Sequence, residues 1–126
     1  MGEAKKILVV DDELDVTNLI SLLLKSQGYK VIVATEGRQA LDLARREIPD
    51  LIILDIMLPG LDGYKIARML KFDENYSHIP IIMLTAKVQE KDKQIGLETG
   101  ADEYLTKPFD TGFLLAKVKE ILERKK

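Results

Sequence analysis

Short runs of consecutive apolar residues alternate along this chain with longer stretches whose apolar positions recur every three or four residues. The first pattern fits a strand buried on both faces, and the second an amphipathic helix. Ile7-Leu8-Val9-Val10 predicts the first strand. Val16, Leu19, Ile20, Leu23 and Leu24 then predict a helix that stops near Gly28. Lys30-Val31-Ile32-Val33-Ala34 is the second strand, and Thr35-Glu36-Gly37 turns into a helix carrying Ala40, Leu41 and Ala44. The third strand, Leu51-Ile52-Ile53-Leu54-Asp55, lies between the turn signals Pro49-Asp50 and Pro59-Gly60. Its last residue is a carboxylate, too costly to leave buried and unpaired.

Asp62 suits the N-cap of a third helix bearing Ile66, Ala67 and Leu70. A polar loop from Phe72 to His78 leads to Pro80 and the fourth strand, Ile81-Ile82-Met83-Leu84, which ends in Thr85-Ala86. The fourth helix is the weakest, with sparse apolar positions at Val88, Ile95 and Leu97. Gly96 inside it costs roughly 1 kcal/mol relative to Ala, and Gly100 suits its C-terminal cap. Glu103-Tyr104-Leu105-Thr106 is the fifth strand, closed by Lys107-Pro108. Thr111 opens a last helix with Leu114, Val118, Ile121 and Leu122 on one face. Residues 1–5 and 124–126 are expected to be flexible ends.

Strict β/α alternation implies a parallel sheet with right-handed crossovers and helices on both faces. Five units are too few for an eight-stranded barrel. The expected fold is therefore α/β: a flavodoxin-like (βα)5 three-layer sandwich with strand order 2-1-3-4-5. At 126 residues the chain is expected to be a single domain over 1–126. It has no cysteine, so it offers no disulfide, thiolate zinc site or thiol nucleophile. A net charge of -2 gives no reason to expect nucleic acid or a membrane surface as a direct partner. No apolar segment approaches the ~20 residues that span a bilayer, and a cytoplasmic location is expected.

Sites in open α/β sheets form beyond the carboxyl ends of the strands. Asp11 and Asp12 follow the first strand, Asp55 ends the third, Thr85 the fourth, and Lys107 follows the fifth. Three converging carboxylates resist joint ionisation unless a hard divalent cation sits among them. Mg2+ suits such a set, with Mn2+ as an alternative. Lys107 adds a positive charge for an anion, and Thr85 a hydroxyl donor. The set fits phosphoryl transfer to Asp55.

At these residues the chain resembles the response-regulator receiver domains of two-component signalling, similar to the single-domain chemotaxis type. The resemblance spans roughly the whole chain. It rests on Ile7–Glu13, on Asp50–Gly60 with Asp62-Gly63, on Ile79–Ala86, and on Gly100–Phe109, in that order. It implies that Asp55 accepts a phosphoryl group from a sensor histidine kinase or a histidine phosphotransfer protein. It implies that Asp11, Asp12, Asp55 and the backbone carbonyl of Met57 hold Mg2+, with Asp12 as a direct ligand and Asp11 acting through water. Thr85 and Lys107 would contact the phosphoryl oxygens, and Lys107-Pro108 would be a cis peptide. Tyr104 would be the switch aromatic that turns inward as Thr85 moves. Met57 and Lys87 would tune the lifetime of the phosphoaspartate.

The resemblance further implies a phosphoacceptor switch that assists its own phosphorylation and slow dephosphorylation, rather than an enzyme. Phosphorylation would reshape the face made by the fourth helix, the fifth strand and the last helix, for an output protein or for weak homodimerisation of a monomer. A receiver fragment of a larger transcription regulator or hybrid kinase has the same motifs. A Mg2+-dependent aspartyl-phosphate hydrolase is a competing reading, but it usually needs a second acid where Met57 stands. A flavodoxin-like cofactor binder is disfavoured by the acidic turn after the first strand, which would repel a cofactor phosphate. His78 lies in a loop away from the crevice and is expected to be a surface residue.

Overall fold

Nine elements position the site in the structure, a computed structural model that describes residues 4–85 and 101–124. They are β1 (Lys6–Val10), α1 (Leu14–Ser26), β2 (Lys30–Ala34), α2 (Gly37–Glu47) and β3 (Leu51–Asp55). α3 (Gly63–Lys71), β4 (Ile81–Thr85), β5 (Glu103–Thr106) and a C-terminal helix (Thr111–Arg124) follow. The helix expected at Val88–Leu97, with Lys87 and Gly100, lies outside the described residues, and so does its part of the face expected to change.

All four strand pairings are parallel, in the order β2-β1-β3-β4-β5. With helices packed on both faces, the chain has the flavodoxin-like α/β fold that the alternation predicts. Successive strand side chains point to opposite faces, and that parity divides the core. Leu8, Val10, Ile52, Leu54, Ile81 and Met83 pack with α2 and α3. Ile7, Val9, Leu51, Ile53, Ile82 and Leu84 pack with α1 and the C-terminal helix. β3 is buried throughout, as its uninterrupted apolar run requires. Each such side chain contributes about 1.5–3 kcal/mol through burial, which makes the strand a rigid support for Asp55.

The last helix buries the four residues expected of it, Leu114, Val118, Ile121 and Leu122. α1 departs from expectation. Its buried line is Thr17, Ile20 and Leu24, while Leu19 is exposed. The run of five apolar residues is broader than the stripe that faces the sheet. Thr17 enters the core because its hydroxyl is satisfied locally, donating to the Leu14 carbonyl at 3.1 Å.

Candidate functional site

Strand order reverses where β1 lies beside β3, and the crevice opens at their carboxyl ends. Val10 is level with Leu54 in that pair. Asp11 and Asp55 therefore emerge side by side. The Asp11 amide still donates to the Ala34 carbonyl at 3.1 Å, which extends the ladder to the point where the acid begins. On the other side Asp55 is level with Leu84, and Thr85 with Thr106. The Lys107 amide donates to the Thr85 carbonyl at 2.7 Å. That bond carries the lysine over the crevice, and the Lys107–Pro108 peptide that follows is cis.

One oxygen from each of Asp11, Asp12 and Asp55 lies within 4.8 Å of the others. Asp11 and Asp55 are buried, and Asp12 is exposed. The Lys107 ammonium is 2.6 Å from Asp11 Oδ2 and 3.5 Å from Asp55 Oδ2. It also pairs with Glu13 at 3.3 Å. Two main-chain amides fix the carboxylates: Glu13 N–H donates to Asp11 Oδ1 at 2.9 Å, and Met57 N–H to Asp55 Oδ1 at 3.2 Å. Three carboxylates, Asp11, Glu13 and Asp55, thus surround one ammonium. The donor set is all oxygen, acidic and partly open to solvent, which is the chemistry a hard divalent cation selects.

Burial pushes the Asp55 carboxyl up to about 6 and the charge of Asp11 adds to this, against the opposing pull of Lys107 and the Met57 amide. Lys107 moves the other way relative to its burial. Burial would lower it, but the hydrogen bond to Asp11 and the charges of Asp55 and Asp11 raise it overall. The ammonium is therefore a fixed positive charge.

The Asp55 shift has a consequence for stability. Its carboxyl binds a proton more tightly folded than unfolded, so its contribution to stability falls as pH rises from about 3.8 to about 6. The full penalty, on the order of 2–3 kcal/mol, applies above that window. Unfolding of the wild type and of Asp55→Asn, measured without divalent cations between pH 4 and 7, should show the variant's advantage growing through the window. A gap independent of pH would mean that Asp55 is not the strained acid.

The other sequence-predicted residues take varied positions. Thr85 ends β4, buried, one strand from Asp55. Tyr104 is buried on β5, in the core layer shared with Met83. Met57 offers its amide to Asp55 while its side chain is exposed. His78 is exposed, outside the crevice. Glu13 was not expected as a partner of Lys107, although the run Asp11-Asp12-Glu13 contained the signal. Nor does the sequence reveal how tight the β3–α3 loop is. A Cβ on Gly63 would lie 2.8 Å from Ile56 Cα, and closer still to the Asp55 carbonyl.

Comparison with known proteins agrees with this geometry. The family model for the response regulator receiver domain matches residues 7–119. The receiver domain of the Francisella response regulator 1452 is 34% identical with a TM-score of 0.91, covering 97% of this chain and 99% of that one. The BeF3-activated DrrB receiver domain is 38% identical with a TM-score of 0.87, covering 95% and 98%. The signal receiver domain of a signal transduction histidine kinase from Syntrophus aciditrophicus is 35% identical with a TM-score of 0.89, covering 95% and 91%.

Proposed function

This chain belongs to the response regulator receiver domains of two-component systems, and from that membership we propose that it is a phosphorylation-driven signalling switch with Asp55 as the phosphoacceptor. The observation that carries the reading is the meeting of Asp55 with Asp11, Asp12 and Lys107 at one sheet edge. A carboxylate oxygen of Asp55 attacks phosphorus in line, and the P–N bond of a donor phosphohistidine breaks. The bonding pair returns to the imidazole nitrogen. Lys107 stays protonated and stabilises charge on the phosphoryl oxygens as they leave the donor. Thr85, at the end of the next strand, is the hydroxyl that follows the phosphoryl group, and Tyr104 is the aromatic coupled to it.

Asp11, Asp12, Asp55 and the Met57 carbonyl are the residues that would hold Mg2+ or Mn2+. The ion would neutralise the crowded acids and the charge of the incoming group. The donor is a sensor histidine kinase or a phosphotransfer protein, and the reader is a separate output protein or another copy of the chain. We place the whole of residues 1–126 in one receiver domain acting in the cytoplasm. Among the described residues no helix is long and apolar enough to cross a membrane. Two neighbours support the switch reading: one receiver 38% identical to this chain is activated by BeF3, and another belongs to a histidine kinase.

Intact-mass measurement after incubation with acetyl phosphate is the direct test. One phosphoryl group is expected with millimolar Mg2+ and none with excess chelator. Mg2+ alone should also raise the melting temperature, because a ligand that binds only the native state stabilises it by about 2.7 kcal/mol at 100 times its Kd. Uptake that ignores chelation, together with a melting temperature indifferent to Mg2+, would remove the cation from the reading.

A further inference from the structure

The segment that carries Met57 is folded tightly on itself. Met57 N–H is tied to Asp55, and Gly63 N–H donates to the Ile56 carbonyl at 2.9 Å. Leu61 N–H donates to the Pro59 carbonyl at 3.1 Å across Gly60, whose φ of 84° is the left-handed conformation that favours glycine. Leu58 and Leu61 press against the core layer shared with α2 and α3. The loop is therefore a small rigid unit.

α2 supplies no side chain to the acid cluster, yet its first residue touches this unit. A Cβ on Gly37 would lie 2.7 Å from Leu61 Cβ and nearer still to the Leu61 carbonyl oxygen. The nearest obstacle is backbone, so no rotamer change relieves it. Ordinary carbon contacts need about 3.5–4.0 Å. The loop or the start of α2 would have to move by about an ångström. Leu61 is hydrogen-bonded to Pro59, two residues beyond Met57, so the displacement passes toward the carbonyl that would face the cation. Mg2+ tolerates such a change poorly, because it requires near-octahedral oxygens at about 2.0–2.1 Å.

We propose that Gly37 is a positioning residue for the cation site: its missing side chain lets α2 seat the Leu61 end of the loop, and the loop thereby places the Met57 carbonyl. The inference rests on the reading of Asp11, Asp12, Asp55 and Met57 as that site. It gives α2 a specific part in the function, although α2 contributes nothing to the acid cluster.

The test is calorimetric Mg2+ titration of the wild type, Gly37→Ala and Gly28→Ala. Gly28 lies at the far end of α1 with a φ of 90°, and a Cβ there would meet no atom of the described residues within 4 Å. Alanine there strains the backbone without touching the site. Gly37→Ala should bind Mg2+ about tenfold more weakly, as expected when the support of a metal ligand is disturbed. Gly28→Ala should lose thermal stability and keep the wild-type affinity. Leu61→Ala, which loosens the same seat from the core side, should weaken binding in the same direction and serves where Gly37→Ala folds poorly. Wild-type affinity in both Gly37→Ala and Leu61→Ala, or in Leu61→Ala where Gly37→Ala does not fold, would overturn the inference and leave the cation site standing. Absence of Mg2+ binding by the wild type would overturn both.

Discussion

Asp55→Asn takes up no phosphoryl group from acetyl phosphate under conditions that load the wild type, a loss expected to exceed about 100-fold because the attacking carboxylate itself is gone. The amide keeps the size of the side chain and can still accept from the Met57 amide, so the fold and the loop remain in place. What disappears is the carboxylate proposed as nucleophile, which is also one of the acids crowding Lys107. The same substitution should therefore raise stability in the absence of cation while it removes function. Intact mass reads the first effect and thermal unfolding the second. The opposite signs separate loss of chemistry from loss of fold. Asp11 is the nearest alternative acceptor, but its oxygens are engaged by Lys107 at 2.6 Å and by the Glu13 amide at 2.9 Å. Asp12 is exposed. A mass gain that persists in Asp55→Asn would move the acceptor to one of these.

The sheet was legible in the sequence because β1 to β4 are mostly apolar runs bounded by turn residues, and because parallel strands separated by helices admit few connections. The acids were legible for the same reason: each sits where an apolar run stops, and the strand order then brings the strand ends together. What periodicity could not resolve is which part of an apolar helix faces inward. On α1 a threonine displaced Leu19 from the buried line, since a local hydroxyl bond makes Thr17 compatible with the core. The electrostatic balance was also hidden. Lys107 was placed at the crevice by the sequence, and the structure adds that it bridges Asp11, Glu13 and Asp55. Only the fold brings residues 94 and 96 positions apart into one ion-pair network. Close approaches of backbone to backbone leave no compositional trace either. Gly37 and Gly63 look like ordinary helix-start glycines until their neighbours are known.

Gly63→Ala should therefore behave contrary to its local context. At the first position of α3, helix propensity alone would favour alanine by about 0.8–1.0 kcal/mol. The helix start is already sound, with Asp62 accepting from the Lys65 amide at 3.0 Å. Yet the new methyl would sit 2.8 Å from Ile56 Cα and against the Asp55 carbonyl, both of them backbone atoms at the end of a fully buried strand. β3 cannot yield without disturbing both core layers, so α3 must move away and weaken the bond from Gly63 N–H to the Ile56 carbonyl. A net loss of about 3–4 kcal/mol is expected, at or above the upper end of ordinary overpacking. For a domain of this size the melting temperature would fall by roughly 10–15 °C. Gly112→Ala supplies the contrast. Gly112 also lies in the first turn of a helix, but its nearest neighbour is Asp110 Oδ1 at 3.2 Å, a side-chain oxygen that accepts from the Phe113 amide at 2.9 Å and need give only a few tenths of an ångström. That variant should be neutral or more stable by up to about 1 kcal/mol. Thermal unfolding of the two variants in chelator isolates the packing effect from cation binding. Equal melting temperatures would mean that the contact between Gly63 and the Asp55 carbonyl is not a constraint on the fold. A large difference would show that α3 can approach the backbone of the strand that ends in Asp55 only because residue 63 has no side chain.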